Sequence, residues 1–264
     1  MISHLNAHRI VAVLLTAVVL AGCDKNAVQQ LPMEPLLGAR IKFFNFGVNA
    51  PSVNFYADST KLTAVQSGTG TELTTGVSYG GVGNGGAYSQ IAPGTHTLTG
   101  RIAATTNKDL PIATATMTIE DGKFYSFYMS GFYNTTTKTA DVFVLEDPVT
   151  PPNDYSVAYV RFVNTIANAN PLGLYAKSTT GDTTKVDTLT AAIPYQGFTD
   201  FTSTLPAGVY DLLARYADST TNAIVRTGVS LLGGRFYTVG ARGDITITST
   251  TATNRPFLDA TANR

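Results

Sequence analysis

Gly122-Lys123-Phe124-Tyr125-Ser126-Phe127-Tyr128-Met129 decides the fold, because the chain writes it twice. The second version, Gly234-Arg235-Phe236-Tyr237-Thr238-Val239-Gly240-Ala241, begins 112 residues later. One parity is apolar in both: Tyr125, Phe127 and Met129 answer to Tyr237, Val239 and Ala241. The other parity is mixed, with Phe124, Ser126 and Tyr128 against Phe236, Thr238 and Gly240. Successive side chains of a strand point to opposite faces. The spacing therefore predicts a strand whose first set enters a core and whose second set meets solvent or a neighbour.

Working outward, Lys42-Phe43-Phe44-Asn45 answers to Arg161-Phe162-Val163-Asn164 at an offset of 119, and Pro93-Gly94 to Ala207-Gly208 at 114. The offset shrinks steadily, as in a tandem duplication whose second copy has shorter loops. Runs rich in Thr, Val, Ile, Phe and Tyr at residues 40–43, 53–56, 95–103, 112–119, 123–129 and 141–145 predict strands. Pro93-Gly94, Asn107-Lys108-Asp109 and Glu120-Asp121-Gly122 supply turns. No window carries a 3.6-residue apolar stripe. The expected fold is all-β, with two tandem immunoglobulin-like or transthyretin-like β-sandwich domains of about seven strands each. Residues 38–147 form the first and 155–248 the second. Between them, residues 148–154 hold Pro148, Pro151 and Pro152 and are expected to form a linker, since proline cannot continue a strand. Residues 249–264 are expected to be a polar, frayed tail, anchored at most by Phe257-Leu258.

Ahead of the first sandwich stands Leu20-Ala21-Gly22-Cys23. It follows a basic start and an apolar run at residues 10–20, too short to span a bilayer, which needs roughly 20 residues. The stretch resembles a bacterial lipobox. That resemblance implies a signal peptide at residues 1–22, thioether lipidation of Cys23 and cleavage before it. Residues 23–37, with Pro32 and Pro35, then form a lipidated tether. Two or more acyl chains hold a protein stably at a membrane, so Cys23 is the expected membrane anchor. Asp24 resembles an inner-membrane retention signal of some bacteria, but outer-membrane or cell-surface placement is the favoured expectation.

Arg9 leaves with the signal, so the mature chain has 18 − 1 = 17 Lys+Arg against 18 Asp+Glu. No basic field exists to attract nucleic acid, and that class of partner is excluded. The single cysteine permits no intramolecular disulfide, so burial of apolar surface must stabilise both sandwiches.

Arg40-Ile41-Lys42-Phe43-Phe44-Asn45 followed by Asn49-Ala50-Pro51-Ser52-Val53-Asn54-Phe55-Tyr56, with Tyr79 and Pro93-Gly94, resembles the bacterial domain of unknown function 4397 family. In the second half the matching residues are Val160-Arg161-Phe162-Val163-Asn164 and Pro171-Leu172-Gly173-Leu174-Tyr175, with Tyr195 and Pro206-Ala207-Gly208. The resemblance implies an exported, lipid-anchored tandem β-sandwich. The family brings no established catalytic residues.

Motifs for bond-making chemistry are present only in outline. Gly76-Val77-Ser78-Tyr79-Gly80 fits the nucleophile elbow of serine hydrolases, which needs a following helix and a later acid and histidine. The glycine-rich Gly80-to-Gly86 stretch offers no helix, and His96 is the sole histidine left after cleavage. Gly81-Val82-Gly83-Asn84-Gly85-Gly86 matches the dinucleotide pattern but opens no helix either. No zinc set can be built, and Asp121, Glu146, Asp147 and Asp154 are the acids open to calcium. The expectation is no enzyme, no cofactor and no metal. Phe124, Tyr128, Phe132 and Tyr133 are candidates for a surface aromatic patch, weighed against core or interdomain packing. Asp58-Ser59-Thr60, Asp182-Thr183-Thr184, Asp187-Thr188-Leu189 and Asp218-Ser219-Thr220 resemble short O-glycosylation sites and are expected in loops. The favoured function is a non-enzymatic envelope lipoprotein with a protein or polysaccharide partner. The alternative is a fimbrial or assembly subunit using strand exchange, and a serine hydrolase ranks behind both.

Overall fold

The computed structural model describes residues 38–64 and 75–263, and strands recur within them in two sets. The first set is β1 (Ala39–Asn45), β2 (Val53–Ala57), β3 (Thr60–Lys61), β4 (Gly81–Val82), β5 (Ser89–Ile91), β6 (Gly94–Ile102), β7 (Pro111–Ile119), β8 (Phe124–Asn134) and β9 (Thr139–Glu146). The second is β10 (Val157–Asn164), β11 (Leu172–Ser178), β12 (Val186–Thr188), β13 (Ser203–Pro206), β14 (Gly208–Tyr216), β15 (Ile224–Leu231), β16 (Phe236–Arg242) and β17 (Phe257–Ala262). The protein is all-β. The sets exceed the expected seven strands because two- and three-residue pieces such as β3, β4 and β12 are too short to leave a period in the sequence.

Each set makes two sheets, and the pairing repeats. The order β4-β1-β8-β9, with β5 also on β1, answers to β13-β10-β16-β17; the order β3-β2-β6-β7 answers to β12-β11-β14-β15. In both sets the first strand runs parallel to the penultimate one, Phe43 facing Phe127 and Phe162 facing Val239. One apolar core joins the first two sheets through Ile41, Phe43, Phe55, Leu98, Tyr125, Phe127 and Met129. Another joins the second two through Val160, Phe162, Leu174, Leu212, Tyr237, Val239 and Ala241. The parity read from the repeat is therefore the parity of the cores.

The opposite parity is the finding the sequence left open. Strands β1, β8, β10 and β16 are buried on both faces for most of their length. Lys42, Phe44, Ser126 and Tyr128 point away from their own core, as do Arg161, Val163 and Thr238, and none is more than 1% exposed. They are covered because the two sandwiches stack face to face within one compact unit, Gly38–Arg264. The residues between β9 and β10 form no strand, and they do not hold the sandwiches apart.

The stretch expected to fray beyond residue 248 carries a strand instead. Phe257–Ala262 is β17, paired antiparallel to β16 with Leu258 opposite Ala241, and Leu258 is fully buried in the second core. The second sandwich therefore runs past residue 248. The sequence hides this strand because Asp259, Thr261 and three small or half-buried neighbours blunt its alternation.

Candidate functional site

The covered face is built from one residue pair repeated. In the first sandwich Lys42 sits opposite Ser126 across β1 and β8; in the second Arg161 sits opposite Thr238 across β10 and β16. Each sandwich closes on a polar residue just past its last strand, Asp147 after β9 and Asn263 after β17. The backbone N–H of Asp147 donates to the Phe124 carbonyl and that of Asn263 to the Phe236 carbonyl, both at 2.7 Å. Ser126 Oγ donates to Asp147 Oδ2 at 2.7 Å, and Thr238 Oγ1 to Asn263 Oδ1 at 2.8 Å.

Across the interface the contacts are reciprocal. Lys42 Nζ donates to the carbonyl of Ala262 at 2.7 Å, while Arg161 Nη1 donates to the carbonyl of Glu146 at 3.3 Å. Ala262 and Glu146 hold equivalent register positions, opposite Tyr237 and Tyr125. A contact from a to b′ matched by one from a′ to b is the signature of an isologous, two-fold interface, here within one chain. Each cation also lies over an aromatic ring, Lys42 4.3 Å from the Tyr88 centroid and Arg161 4.7 Å from that of Phe201.

The reciprocity breaks in charge. Arg161 Nη2 pairs with Asp147 Oδ1, both side chains fully buried, whereas the residue equivalent to Asp147 in the second sandwich is the uncharged Asn263, so Lys42 has no symmetric carboxylate. Burial drives the Lys42 pKa down to about 8; Asp147 offsets part of this and Arg161 adds to it. Tyr88 bridges the two halves, donating to Asp147 Oδ2 at 2.6 Å and accepting from Asn263 Nδ2 at 2.7 Å. Burial and then the Asp147 carboxylate push its hydroxyl far up, and burial pushes Tyr128 up to about 12.

Beside this polar lock lies an apolar seam. Phe44, Phe46, Tyr128 and Leu145 of the first sandwich pack with Val163 of the second. Phe44 stacks on Tyr128 at 4.4 Å and Tyr128 on Phe143 at 5.0 Å. Gly240 completes the fit, because a Cβ there would stand 3.0 Å from the Phe46 ring. Burying five such side chains is worth on the order of 10 kcal/mol gross, part of it internal to the first sandwich. Desolvating Asp147, Arg161 and Lys42 costs several kcal/mol per ion, which the Arg161–Asp147 pair offsets in part and which leaves Lys42 under-compensated. The seam supplies the attraction, and the lock sets the register.

Cys23 and the residues read as signal and tether lie outside the described residues. The four aromatic candidates do not form a surface patch. Tyr128 is fully buried in the seam, Tyr133 packs half-buried on the first core, and Phe124 packs edge-on to Tyr88 beneath the Arg40 guanidinium. Only Phe132 stands exposed, at 40%. The reason is the stacking of the sandwiches, which covers the outer face of β8. Ser78 is exposed in the turn before β4, while His96 Nδ1 faces Asp58 Oδ2 at 2.7 Å and Nε2 the Ala92 carbonyl at 2.9 Å, so both ring nitrogens already face acceptors. The glycine-rich loop turns at Gly83–Gly86 through left-handed backbone at Asn84 and Gly85, and Asn84 pins it to Leu62, Ala64 and Ser89. Glu146 pairs with Lys123, Asp154 accepts from Ser156 and Asp121 from the Gly38 N–H. Among the described residues no three metal-ligating side chains converge. Of the four glycosylation-like sites, Asp187-Thr188 lies in strand β12 and Thr60 in β3 rather than in loops.

The sequence profile described as "Domain of unknown function (DUF4397)" matches residues 39–175, more than half of the chain. The chain belongs to the DUF4397 family. The DUF4397 match spans the whole first sandwich and continues through β10 into β11, so Lys42, Asp147 and Arg161 all lie inside it. Comparison with curated proteins returns no match. Among solved structures, one described as the Bacillus anthracis TIE protein is similar at 13% identity and a TM-score of 0.24. The alignment takes in 77% of this chain and 33% of that one, so this chain spans about a third of its length.

Proposed function

We propose that this DUF4397 protein is a non-enzymatic cell-envelope lipoprotein, anchored through Cys23, that holds two β-sandwiches as one rigid body for a binding partner. The observation that carries the reading is the use of the interface: its charged and polar side chains are committed to one another across the stack, leaving loops and outer sheets for recognition. The lipobox-like Leu20-Ala21-Gly22-Cys23 supports the anchor. No helix among the described residues is long and apolar enough to cross a membrane. The turn that carries Ser78 and the partners already facing both His96 nitrogens speak for a binding role over a hydrolytic one.

The test is expression with an intact leader in a lipoprotein-processing bacterium, followed by membrane fractionation and intact-mass analysis. Wild type should pellet with membranes, lack residues 1–22 and carry acyl mass; Cys23→Ser should lose the acyl mass and leave the pellet. A retained leader with an unmodified Cys23 would refute the anchor. Hydrolysis of an ester panel that disappears in Ser78→Ala would refute the non-enzymatic reading.

A further inference from the structure

Phe257, the first residue of β17, is surrounded by cations. The guanidinium carbons of Arg242, Arg226 and Arg255 lie 5.1, 5.2 and 5.3 Å from its ring centroid. Asp259 pairs with Arg242. Arg226 and Arg255 each donate from Nη1 to a backbone carbonyl, of Leu258 at 2.7 Å and of Ala252 at 3.0 Å. A guanidinium offers five N–H donors, so most of both forks remain for another acceptor. Against these three positive charges stand two carboxylates, Asp259 and the loop acid Asp244, an excess of one. Asp244 is held by neutral partners, Asn168 at 2.8 Å and Thr246 at 2.6 Å, which keep its carboxylate charged.

An open groove of about 510 Å³ adjoins this cluster. Arg255 and Phe257 line it together with apolar Val225, Ile245 and Ile247 and the hydroxyl run Thr248-Ser249-Thr250. Val225 is 49% exposed. The three kinds of lining match three parts of one ligand class. Arginine forks take carboxylates in bidentate pairs, hydroxyls exchange hydrogen bonds with hydroxyls, and apolar walls cover the C–H faces of pyranose rings. Acidic peptides bring no pyranose faces for the apolar walls, neutral sugars bring no charge to answer the arginines, and a flat lipid surface does not enter a groove. We propose that this groove binds an acidic polysaccharide, its carboxylates on Arg255 in the lining and on Arg226 beside it across the Phe257 ring, and its sugar rings along Val225, Ile245, Ile247 and Thr248-Ser249-Thr250. The proposal rests on the envelope-binding reading above and names the partner chemistry it leaves open.

The experiment is calorimetric or interferometric titration of the purified full chain with oligogalacturonate, beside maltopentaose, poly-glutamate and phosphatidylglycerol vesicles. Saturable binding to oligogalacturonate is expected, weakening at least tenfold in the Arg226→Gln/Arg255→Gln double variant with its Tm unchanged. Val225→Asn, which keeps every charge, should weaken binding by a smaller factor and so separates groove contact from bulk attraction. Should the double variant fail to fold, Val225→Asn alone carries the test. No saturation by oligogalacturonate, equal binding by the folded variants, or equal affinity for poly-glutamate, maltopentaose or vesicles would overturn the proposal. A protein that is acylated at Cys23 yet ignores oligogalacturonate sinks the groove and leaves the anchor standing. Binding by a protein with an unmodified Cys23 does the reverse.

Discussion

Arg161→Met is the most direct challenge to the view that the two sandwiches are one body. Arg161 is fully buried and holds four acceptors: Asp147, Thr238 at 2.8 Å, the Glu146 carbonyl at 3.3 Å and Ser126 at 3.4 Å. Methionine keeps most of the volume and leaves the Asp147 carboxylate without its paired guanidinium, with only the more distant Lys42 as counter-charge. Stranding one partner of a buried pair costs about 3–5 kcal/mol. For a unit of this size that corresponds to a Tm loss of about 6–20 °C. Differential scanning calorimetry reads two things at once. Wild type should unfold in a single transition, because the seam and lock couple both cores, and the variant should separate into two. Adding Asp147→Asn to Arg161→Met should return at least about 1 kcal/mol, since the stranded charge is gone. A loss below about 1 kcal/mol for Arg161→Met, with one transition retained and no gain from the second substitution, would refute the reasoning.

Other expectations follow from the same face. Lys42 has a folded pKa of about 8 against 10.5 when free, so between those values the unfolded chain binds more protons and stability rises with pH. The gain from pH 7.5 to 9.5 should be about 2 kcal/mol in denaturant titrations, and Lys42→Met should flatten it. Above about pH 10 the trend reverses, because Tyr88 and Tyr128 are held neutral in the fold while free tyrosines ionise. Asn263→Asp supplies the carboxylate that the pseudo-symmetry lacks and should shrink the alkaline gain in the same titration. Gly240→Ala sets a methyl 3.0 Å from the Phe46 ring and should cost about 1 kcal/mol by chemical denaturation. An equally stable variant would mean that the seam is loose.

How much of this was legible before the fold was known can be argued residue by residue. The alternation in residues 124–129 and its echo in 236–241 placed Tyr125, Phe127, Met129, Tyr237, Val239 and Ala241 in cores, because a strand has two faces and one was uniformly apolar. The repeated Lys42 and Arg161, each alone among apolar neighbours, were visible as a pair, but a charge at a strand centre is equally consistent with open water. Tyr128, on that same face, is by its alternation a candidate for a surface patch or for packing between the domains, and the fold decides for packing. β17 is hidden because Phe257 and Leu258 stand side by side and Asp259 to Ala262 carry no large apolar residue to mark an alternation.

The chain's own order of residues thus determined that it builds strands, that it builds the set twice, and which parity each core takes. Local periodicity encodes those choices, and every such choice is made between neighbours in sequence. Tertiary structure alone decided that the outer faces meet. That contact joins Lys42 to Ala262 and Tyr88 to Asn263, residues too far apart in the chain for any period to connect. Whether a half-polar face is wet or buried depends on what lies opposite it, and only the folded chain brings the opposite side into place.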